Sequence, residues 1–182
     1  WEIEEMGPVE GKSLLHMQCH IGTDTLSWAH EGAQVTGLDF SPNAIAEAVR
    51  FADILGFDNA RFVVSRVSEA VETLEGEQFD IIYTGRGALC WLPDLKEWAR
   101  VCAALLRQGG TLYFEESTPM VNTLDPEEGP NGPRLVPKYD LFNEGPISEI
   151  GEGSYADPKW PGRGVTHCWE YRYDTIINAL IE

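Results

Sequence analysis

The fold is decided by residues 14–41, LLHMQCHIGTDTLSWAHEGAQVTGLDFS. The apolar run at 14–17 predicts a buried strand, and a tight turn follows at 18–22. A helix comes next, and Gly32 ends it. A second apolar strand then ends at Asp39. This order is typical of half of a doubly wound nucleotide-binding unit, in which a carboxylate after the second strand lies where a ribose binds.

Strands and helices go on alternating to about residue 114. Apolar runs predict further strands at 61–65, 79–84 and 111–114, and helical spacing predicts helices at 42–55, 68–74 and 95–106. Such alternation argues for a parallel sheet with helices on both faces, in the spatial order 3-2-1-4-5. The predicted fold class is therefore α/β, a doubly wound and mostly parallel sheet.

Ligands of such sheets bind at the carboxyl ends of the strands, beside the point where the strand order reverses. Four segments fall on that edge, at 18–22, 39–41, 65–67 and 85–91. We therefore expect the functional residues of the chain to lie there.

Composition narrows the possible partners. The chain has 182 residues, which fits one domain, and a formal charge of −17, which argues against binding nucleic acid or an anionic membrane. Its four cysteines form no C-x-x-C pair, and no apolar run approaches the roughly 20 residues of a spanning helix. These features predict a cytoplasmic protein with reduced thiols and no membrane partner, and they leave the oligomeric state open.

The carboxyl-terminal third breaks the alternating pattern. Residues 117–172 hold most of the prolines and show little periodicity. Because a structureless loop of that length is improbable in a compact domain, we expect an insertion or lid over the active site, with short strands of its own or mobile parts. A helix follows at 174–182, with Ile176, Ile177, Leu180 and Ile181 on one face. A doubly wound sheet normally continues beyond that point, so carboxyl-terminal strands are expected to be missing.

The turn at 18–22 restricts the cofactor. It has a single glycine, Gly22, whereas a dinucleotide pyrophosphate usually needs G-x-G-x-x-G for close approach of the backbone. A ligand without phosphates, such as S-adenosylmethionine (SAM), tolerates a different turn. Such a ligand still needs a carboxylate for its ribose, and Asp39 suits that role.

Several stretches resemble class I SAM-dependent methyltransferases. LLHMQCHIGTDTLSWAHEGAQVTGLDFSPNAI is similar to motif I and the acidic strand after it, in the branch that writes the turn as L-x-C-H-x-G-T-D-T. FDIIYTGRGALCWLPDL and LLRQGGTLYFEE resemble the fourth- and fifth-strand motifs, and WEYRYDTIINALIE resembles the later helix. The resemblance covers residues 10–117 well and 150–182 loosely. It implies a Rossmann-like methyltransferase fold.

The resemblance also implies roles for individual residues. The implied cofactor contacts are Gln18, Cys19, His20, Gly22, Asp39, Phe40, Ser41, Ser65, Arg66, Val67 and Gly85. The implied acceptor contacts are Arg86, Trp91, Trp169 and Tyr171. If the acceptor needs a general base, His167 is the candidate, ahead of Tyr171 and Tyr173.

Two positions depart from the family pattern. The first strand usually offers an acidic residue where this chain has His16, and the third strand usually ends in an acidic residue where it has Arg66. A guanidinium cannot accept a hydrogen bond from adenine, so backbone groups would have to make that contact.

Plainer interpretations stand beside these roles. His16, Cys19 and His20 could be metal ligands by type, but their side chains should diverge, so we predict packing or backbone roles and no metal. His167 could be a structural histidine, and Trp91 could be core. Residues 169, 171 and 173 could form the alternating face of a strand. Trp98 is expected in the core.

The sequence thus favours a SAM-dependent methyltransferase that acts on a small-molecule acceptor. One alternative is a Rossmann-type NAD(P)-dependent oxidoreductase, which the single-glycine turn disfavours. The other is a non-catalytic SAM-binding protein.

Overall fold

A computed structural model describes residues 2–152 and 162–182. These residues form two compact units. The first unit comprises residues 2–88 and 96–116, and the second comprises 89–95 together with the described residues after 116.

The first unit is built on a parallel sheet. Its strands are β1 (Ser13–Met17), β2 (Gln34–Asp39), β3 (Ala60–Val64), β4 (Phe79–Thr84) and β5 (Leu106–Phe114). Their spatial order is β3-β2-β1-β4-β5, and every pairing is parallel. The predicted order is confirmed. The strand order reverses beside β1, so the carboxyl ends of β1, β2 and β4 meet at the expected ligand edge.

One helix precedes these strands and the others connect them. They are α1 (Glu2–Met6), α2 (Thr23–His30), α3 (Pro42–Leu55), α4 (Ala70–Thr73) and α5 (Leu95–Leu105), with a 3₁₀ turn at Val67–Glu69. The sequence sets the ends of α3 as predicted. The Ser41 hydroxyl accepts a hydrogen bond from the Ala44 amide at 3.3 Å, Pro42 occupies the first turn, and Gly56 ends the helix with φ of 74°.

Apolar side chains cover both faces of the sheet. On one face Trp28 of α2 packs with Leu14, Val35 and Tyr83 in a buried cluster. On the other face Trp98 of α5 is fully buried, edge-on to Phe114 with ring centroids 5.7 Å apart. Tyr83 pairs with Tyr113, so the next residue, Phe114, points to the opposite face. The prediction that Trp98 lies in the core is confirmed.

The start of β5 differs from the prediction. We expected Gly109 and Gly110 to separate the helix from a strand at 111–114, but the strand begins at Leu106. The pairing register shifts between Phe79 and Ile81, which places the two glycines in an irregular stretch of the strand, with Gly109 at φ of 80°. Glycine here permits a bulge within the strand instead of ending it.

The second unit has short elements of its own. They are a 3₁₀ turn at Leu89–Trp91, α6 (Pro119–Asn122), β6 (Leu124–Glu127), β7 (Arg134–Pro137), β8 (Ile147–Glu152), β9 (Arg163–Cys168) and α7 (Tyr173–Ile181). β6 pairs with β7 and β8 pairs with β9, both antiparallel. This agrees with the expectation of short strands within 117–172. Residues 153–161 of that predicted insertion lie outside the described residues.

The predicted helix at 174–182 is confirmed as α7, whereas one alternative for this unit was wrong. Residues 169, 171 and 173 do not alternate along a strand, because β9 ends at Cys168 and Tyr173 begins α7. In α7 the buried residues are Ile176 and Ala179, whereas Ile177, Leu180 and Ile181 are exposed. The predicted apolar face of α7 is therefore mostly open to solvent.

In the part of the chain that the structure describes, no helix combines the length and the apolar character needed to cross a bilayer.

Candidate functional site

The turn after β1 holds side-chain-bearing residues in a glycine-like conformation. Gln18 has φ of 57° and His20 has φ of 51°, and Gly22 follows at 77°. Left-handed backbone costs a non-glycine residue about 1–2 kcal/mol. At Gly22 an added Cβ would lie 2.7 Å from the Phe62 ring and 2.8 Å from Ala48, so only glycine fits. Strain of this kind is typical of ligand-binding turns.

Asp39 at the end of β2 is held by two backbone donors. Its Oδ2 accepts from the His20 amide at 3.0 Å, and its Oδ1 accepts from the Ser41 amide at 2.9 Å. The residue is buried. Each carboxylate oxygen has room for a second hydrogen bond, so Asp39 can still accept from two ligand hydroxyls.

The end of β3 lies beside Asp39. The Ser65 amide donates to the Asp39 carbonyl at 2.9 Å. The Ser65 hydroxyl lies 2.9 Å from the Arg66 carbonyl and 3.0 Å from the Thr73 hydroxyl. Its hydrogen bonds therefore stabilise the local structure. The Arg66 side chain is exposed, whereas Val67 is buried. Phe40 is 71% exposed, so it offers an aromatic surface at the same edge.

His16 lies at the same edge of the sheet, although the sequence indicated only a departure from the family pattern and a packing role for it. It is buried in β1, and its Nδ1 lies 2.7 Å from the Thr25 hydroxyl. A Cβ added to Gly85, just after β4, would lie 3.2 Å from His16 Nε2, so the ring lies against this glycine. Burial lowers the pKa of His16 to about 3, and the imidazole is therefore neutral at physiological pH. The sequence signal that could have drawn attention to His16 is a histidine inside an otherwise apolar strand.

The Gln18 side chain links the turn to the loop after β4. Its amide nitrogen donates to the Ala88 carbonyl at 3.0 Å. Its Oε1 is buried and has no hydrogen-bond partner among the described residues. Because a buried, unsatisfied amide oxygen is costly, Oε1 is a candidate acceptor for a ligand donor.

Arg86 lies directly after Gly85 and pairs with two carboxylates. Its Nη2 lies 3.0 Å from Glu2 Oε2, and its Nε lies 3.7 Å from Glu115 Oε2. The predicted cofactor residues lie at or just after the ends of β1, β2, β3 and β4. They thus belong to one unit and to one edge of its sheet, and so does the predicted acceptor residue Arg86.

Cys19 lies between these residues but is not a reactive thiol. Burial, together with the charge of Asp39, raises the pKa of Cys19 to about 12. The thiol therefore stays protonated at neutral pH. Among residues 2–152 and 162–182, no three His, Cys, Asp or Glu side chains are placed to hold a metal ion.

The other predicted acceptor residues lie in the second unit. His167 on β9 has its Nδ1 2.8 Å from the Ser148 hydroxyl across the hairpin. The Trp169 amide donates to the Cys90 carbonyl at 2.8 Å. Trp91, beside Cys90, is 52% exposed, so the plainer interpretation of it as core does not hold.

Tyr171 is tied to the same part of the second unit. Its hydroxyl donates to the Leu92 carbonyl. Burial raises the pKa of Tyr171 to about 12, so it stays protonated at neutral pH and is a poor candidate for a base. Trp91, Trp169 and Tyr171 are thus grouped around residues 89–92.

Comparison with known proteins identifies the family of the chain. A family model described as a methyltransferase domain matches residues 15–112, more than half of the chain. The chain belongs to this family of methyltransferase domains. The resemblance found in the sequence is thereby confirmed, while its assignment to one branch stays a prediction.

Relatives and solved structures extend the comparison. Ubiquinone biosynthesis O-methyltransferase of Bordetella pertussis is 34% identical over 117 residues, which are 63% of this chain and 46% of that protein. The Escherichia coli protein of the same name is 34% identical over 113 residues, 61% of this chain and 45% of its own length. The chain therefore spans less than half the length of these relatives.

Two crystal structures share the fold. An S-adenosylmethionine dependent methyltransferase from Mesorhizobium loti has a TM-score of 0.71 at 21% identity, covering 98% of this chain and 76% of that one. A second, from Clostridium acetobutylicum, has a TM-score of 0.65 at 14% identity, covering 92% and 70%. These likenesses confirm the predicted Rossmann-like fold.

Proposed function

We propose that the first unit binds SAM and that the protein transfers the methyl group of SAM to a small-molecule acceptor. The observation that carries this proposal is the geometry of Asp39. Its two oxygens are fixed by the His20 and Ser41 amides, and each retains acceptor capacity for one hydroxyl of a ribose diol. Membership of the methyltransferase-domain family supports the same cofactor.

The other residues of the edge fit the rest of this cofactor. The unpaired Gln18 Oε1 suits the ammonium group of the methionine part. Phe40 and Val67 offer apolar contacts to adenine, and backbone groups of Ser65 and Arg66 would meet its polar edge. The strained turn at 18–22 would then enclose the methionine part through its backbone, with Cys19 as a packing residue.

The cofactor would supply a methyl group already activated on a sulfonium. What the chain contributes is therefore mainly position and exclusion of water. Gly85 leaves space beside His16, and Arg86 follows at the same edge. A neutral His16 adds no charge near the sulfonium.

The acceptor side is proposed from the second unit. We assign Trp91, Trp169 and Tyr171 to the acceptor, keep His167 as the candidate base, and keep the role of residues 117–172 as a lid. An oxygen acceptor is the best candidate, because the relatives above are named O-methyltransferases. We place the reaction in the cytoplasm, since none of the four cysteines, all of them among the described residues, forms a disulfide.

Calorimetry with S-adenosylhomocysteine and with NADH tests the cofactor. We expect S-adenosylhomocysteine to bind and NADH not to bind. Binding of NADH alone would overturn the proposal in favour of an oxidoreductase. Transfer of tritium from methyl-labelled SAM to a panel of phenols, catechols and amines then tests turnover. Cofactor binding with no transfer to any of them would favour a non-catalytic protein.

A further inference from the structure

The carboxylate of Glu2 lies against two donors near the end of β4. The Tyr83 hydroxyl donates to its Oε1 at 2.9 Å, and Arg86 Nη2 donates to its Oε2 at 3.0 Å. The Glu2 side chain is only 15% exposed. Burial and the neighbouring Glu2 raise the pKa of Tyr83, so its hydroxyl stays a donor. Two donors thus converge on both oxygens of one carboxylate, a geometry suited to specific carboxylate binding.

Helix α1, which carries Glu2, also contacts the unit through Met6, which packs against the buried cluster of Leu14, Trp28 and Tyr83. None of its five residues is buried. A second contact joins Glu5 Oε2 to the Tyr113 hydroxyl at 2.8 Å, and the Tyr113 ring stacks on Tyr83 at 5.9 Å. Partly exposed contacts of this kind add little stability, so the Glu2 carboxylate can leave its two donors at low cost.

The two donors lie beside the candidate cofactor site. Arg86 follows Gly85, which packs against His16. A cavity of about 620 Å³ has Glu2, Arg86 and Thr23 among its lining residues, and Thr23 begins α2 directly after the cofactor turn. This cavity offers space for a carboxylate to reach Arg86. Tyr83 does not line the cavity, but a carboxylate that takes the place of Glu2 would also meet the Tyr83 hydroxyl.

We infer that Tyr83 and Arg86 form a carboxylate-binding pair, which Glu2 occupies and which a ligand carboxylate takes over. This inference rests on the proposed function, which supplies two sources of the carboxylate: the methionine part of SAM, or the methyl acceptor. The exchange leaves no donor unsatisfied, since one carboxylate replaces another and Glu2 passes into water. Glu115, 3.7 Å from Arg86 Nε, remains in place.

Glu2→Ala tests the inference because it removes the internal competitor. If the carboxylate belongs to the cofactor, the variant should bind S-adenosylhomocysteine about 3–10-fold more tightly, the gain expected when one surface ion pair no longer competes. 5′-Methylthioadenosine, which lacks the amino-acid part, should bind as it does to the wild type. Calorimetry measures both.

If the carboxylate belongs to the acceptor, a different pair of probes responds. With the protein saturated in S-adenosylhomocysteine, Glu2→Ala should bind 3,4-dihydroxybenzoate about 3–10-fold more tightly, with no change for catechol, which lacks the carboxylate. In either case Arg86→Gln should weaken binding of the responding ligand by a larger factor than binding of its carboxylate-free partner.

Glu5→Ala is the matched control. It breaks the contact of α1 with Tyr113 but leaves Glu2 on its two donors, so it should reproduce none of these gains. Equal gains in Glu5→Ala, equal gains for ligands without a carboxylate, or no gain for either carboxylate ligand would overturn the inference. A wild-type protein that binds neither S-adenosylhomocysteine nor methylthioadenosine would overturn the proposed function and this inference with it.

Discussion

The Nδ1 atom of His16 lies 2.7 Å from the hydroxyl oxygen of Thr25, and this contact joins β1 to α2 within the first unit. The imidazole is 3% exposed and lies edge-on to Tyr83, with ring centroids 4.7 Å apart. Burial lowers its pKa to about 3. A neutral ring therefore occupies the strand position where the family resemblance leads one to expect a carboxylate.

We expect acid to destabilise the protein through His16. The pKa of this histidine is 6.5 unfolded and about 3 folded, so between these values the unfolded state binds more protons. The free energy of unfolding therefore decreases as the pH is lowered through that window, by roughly 2 kcal/mol from pH 7 to pH 5. His16→Gln should lose this part of the pH dependence, whereas the exposed His30→Gln should keep it. Urea denaturation at both pH values measures the difference, and an unchanged slope in His16→Gln would contradict the assignment.

The ribose role of Asp39 predicts a large loss of cofactor affinity on substitution. Asp39→Asn replaces one acceptor oxygen by an NH₂ group, which also faces a backbone donor from His20 or Ser41. We expect S-adenosylhomocysteine to bind about 10–100-fold more weakly, as for the loss of a hydrogen bond to a charged group. Asp53→Asn, exposed on α3, should bind as the wild type does. Equal affinities in calorimetry, with circular dichroism unchanged, would exclude Asp39 as the ribose ligand.

The sequence predicted the sheet because its strands are local apolar runs with clear ends. Leu14 to Met17 are buried, and so are Phe79 to Thr84 except for Asp80. Both runs are bounded by turn residues, so order and direction follow from general rules. The position of Asp39 followed in the same way, since it directly ends β2.

Contacts between residues far apart in the chain could not be predicted from local sequence patterns. Glu2 meets Tyr83 across 81 positions, and nothing in the short polar α1 indicates that partner. The register shift that places Gly109 inside β5 depends on pairing with β4, which local glycine preference does not reveal. Helical spacing also does not show which side of α7 is buried, the one with Ile176 and Ala179 or the one with Ile177 and Ile181.

Gly37 in β2 should tolerate no side chain. A Cβ there would lie 2.5 Å from the Phe62 ring and 2.9 Å from Cys19 Sγ, so Gly37→Ala should lower the free energy of unfolding by about 1–3 kcal/mol. Adding Phe62→Leu should restore part of that loss. Gly22→Ala also meets Phe62, but its φ of 77° adds backbone strain that Phe62→Leu cannot relieve. Urea denaturation of the single and double variants measures the rescue, and equal rescue at both glycines would contradict this explanation.

The last prediction separates the two interpretations of His167. If His167 is the general base, His167→Gln should lower kcat by about 10²–10⁴-fold for any acceptor that the wild type methylates, with the Kd of S-adenosylhomocysteine unchanged. Ser148→Ala removes the partner at 2.8 Å but keeps the imidazole, so its kcat should fall only a few-fold. Tritium transfer from labelled SAM measures kcat, and calorimetry measures Kd. Equal falls in kcat in the two variants would mean that the histidine only supports the β8–β9 hairpin, and the base would then have to be sought elsewhere.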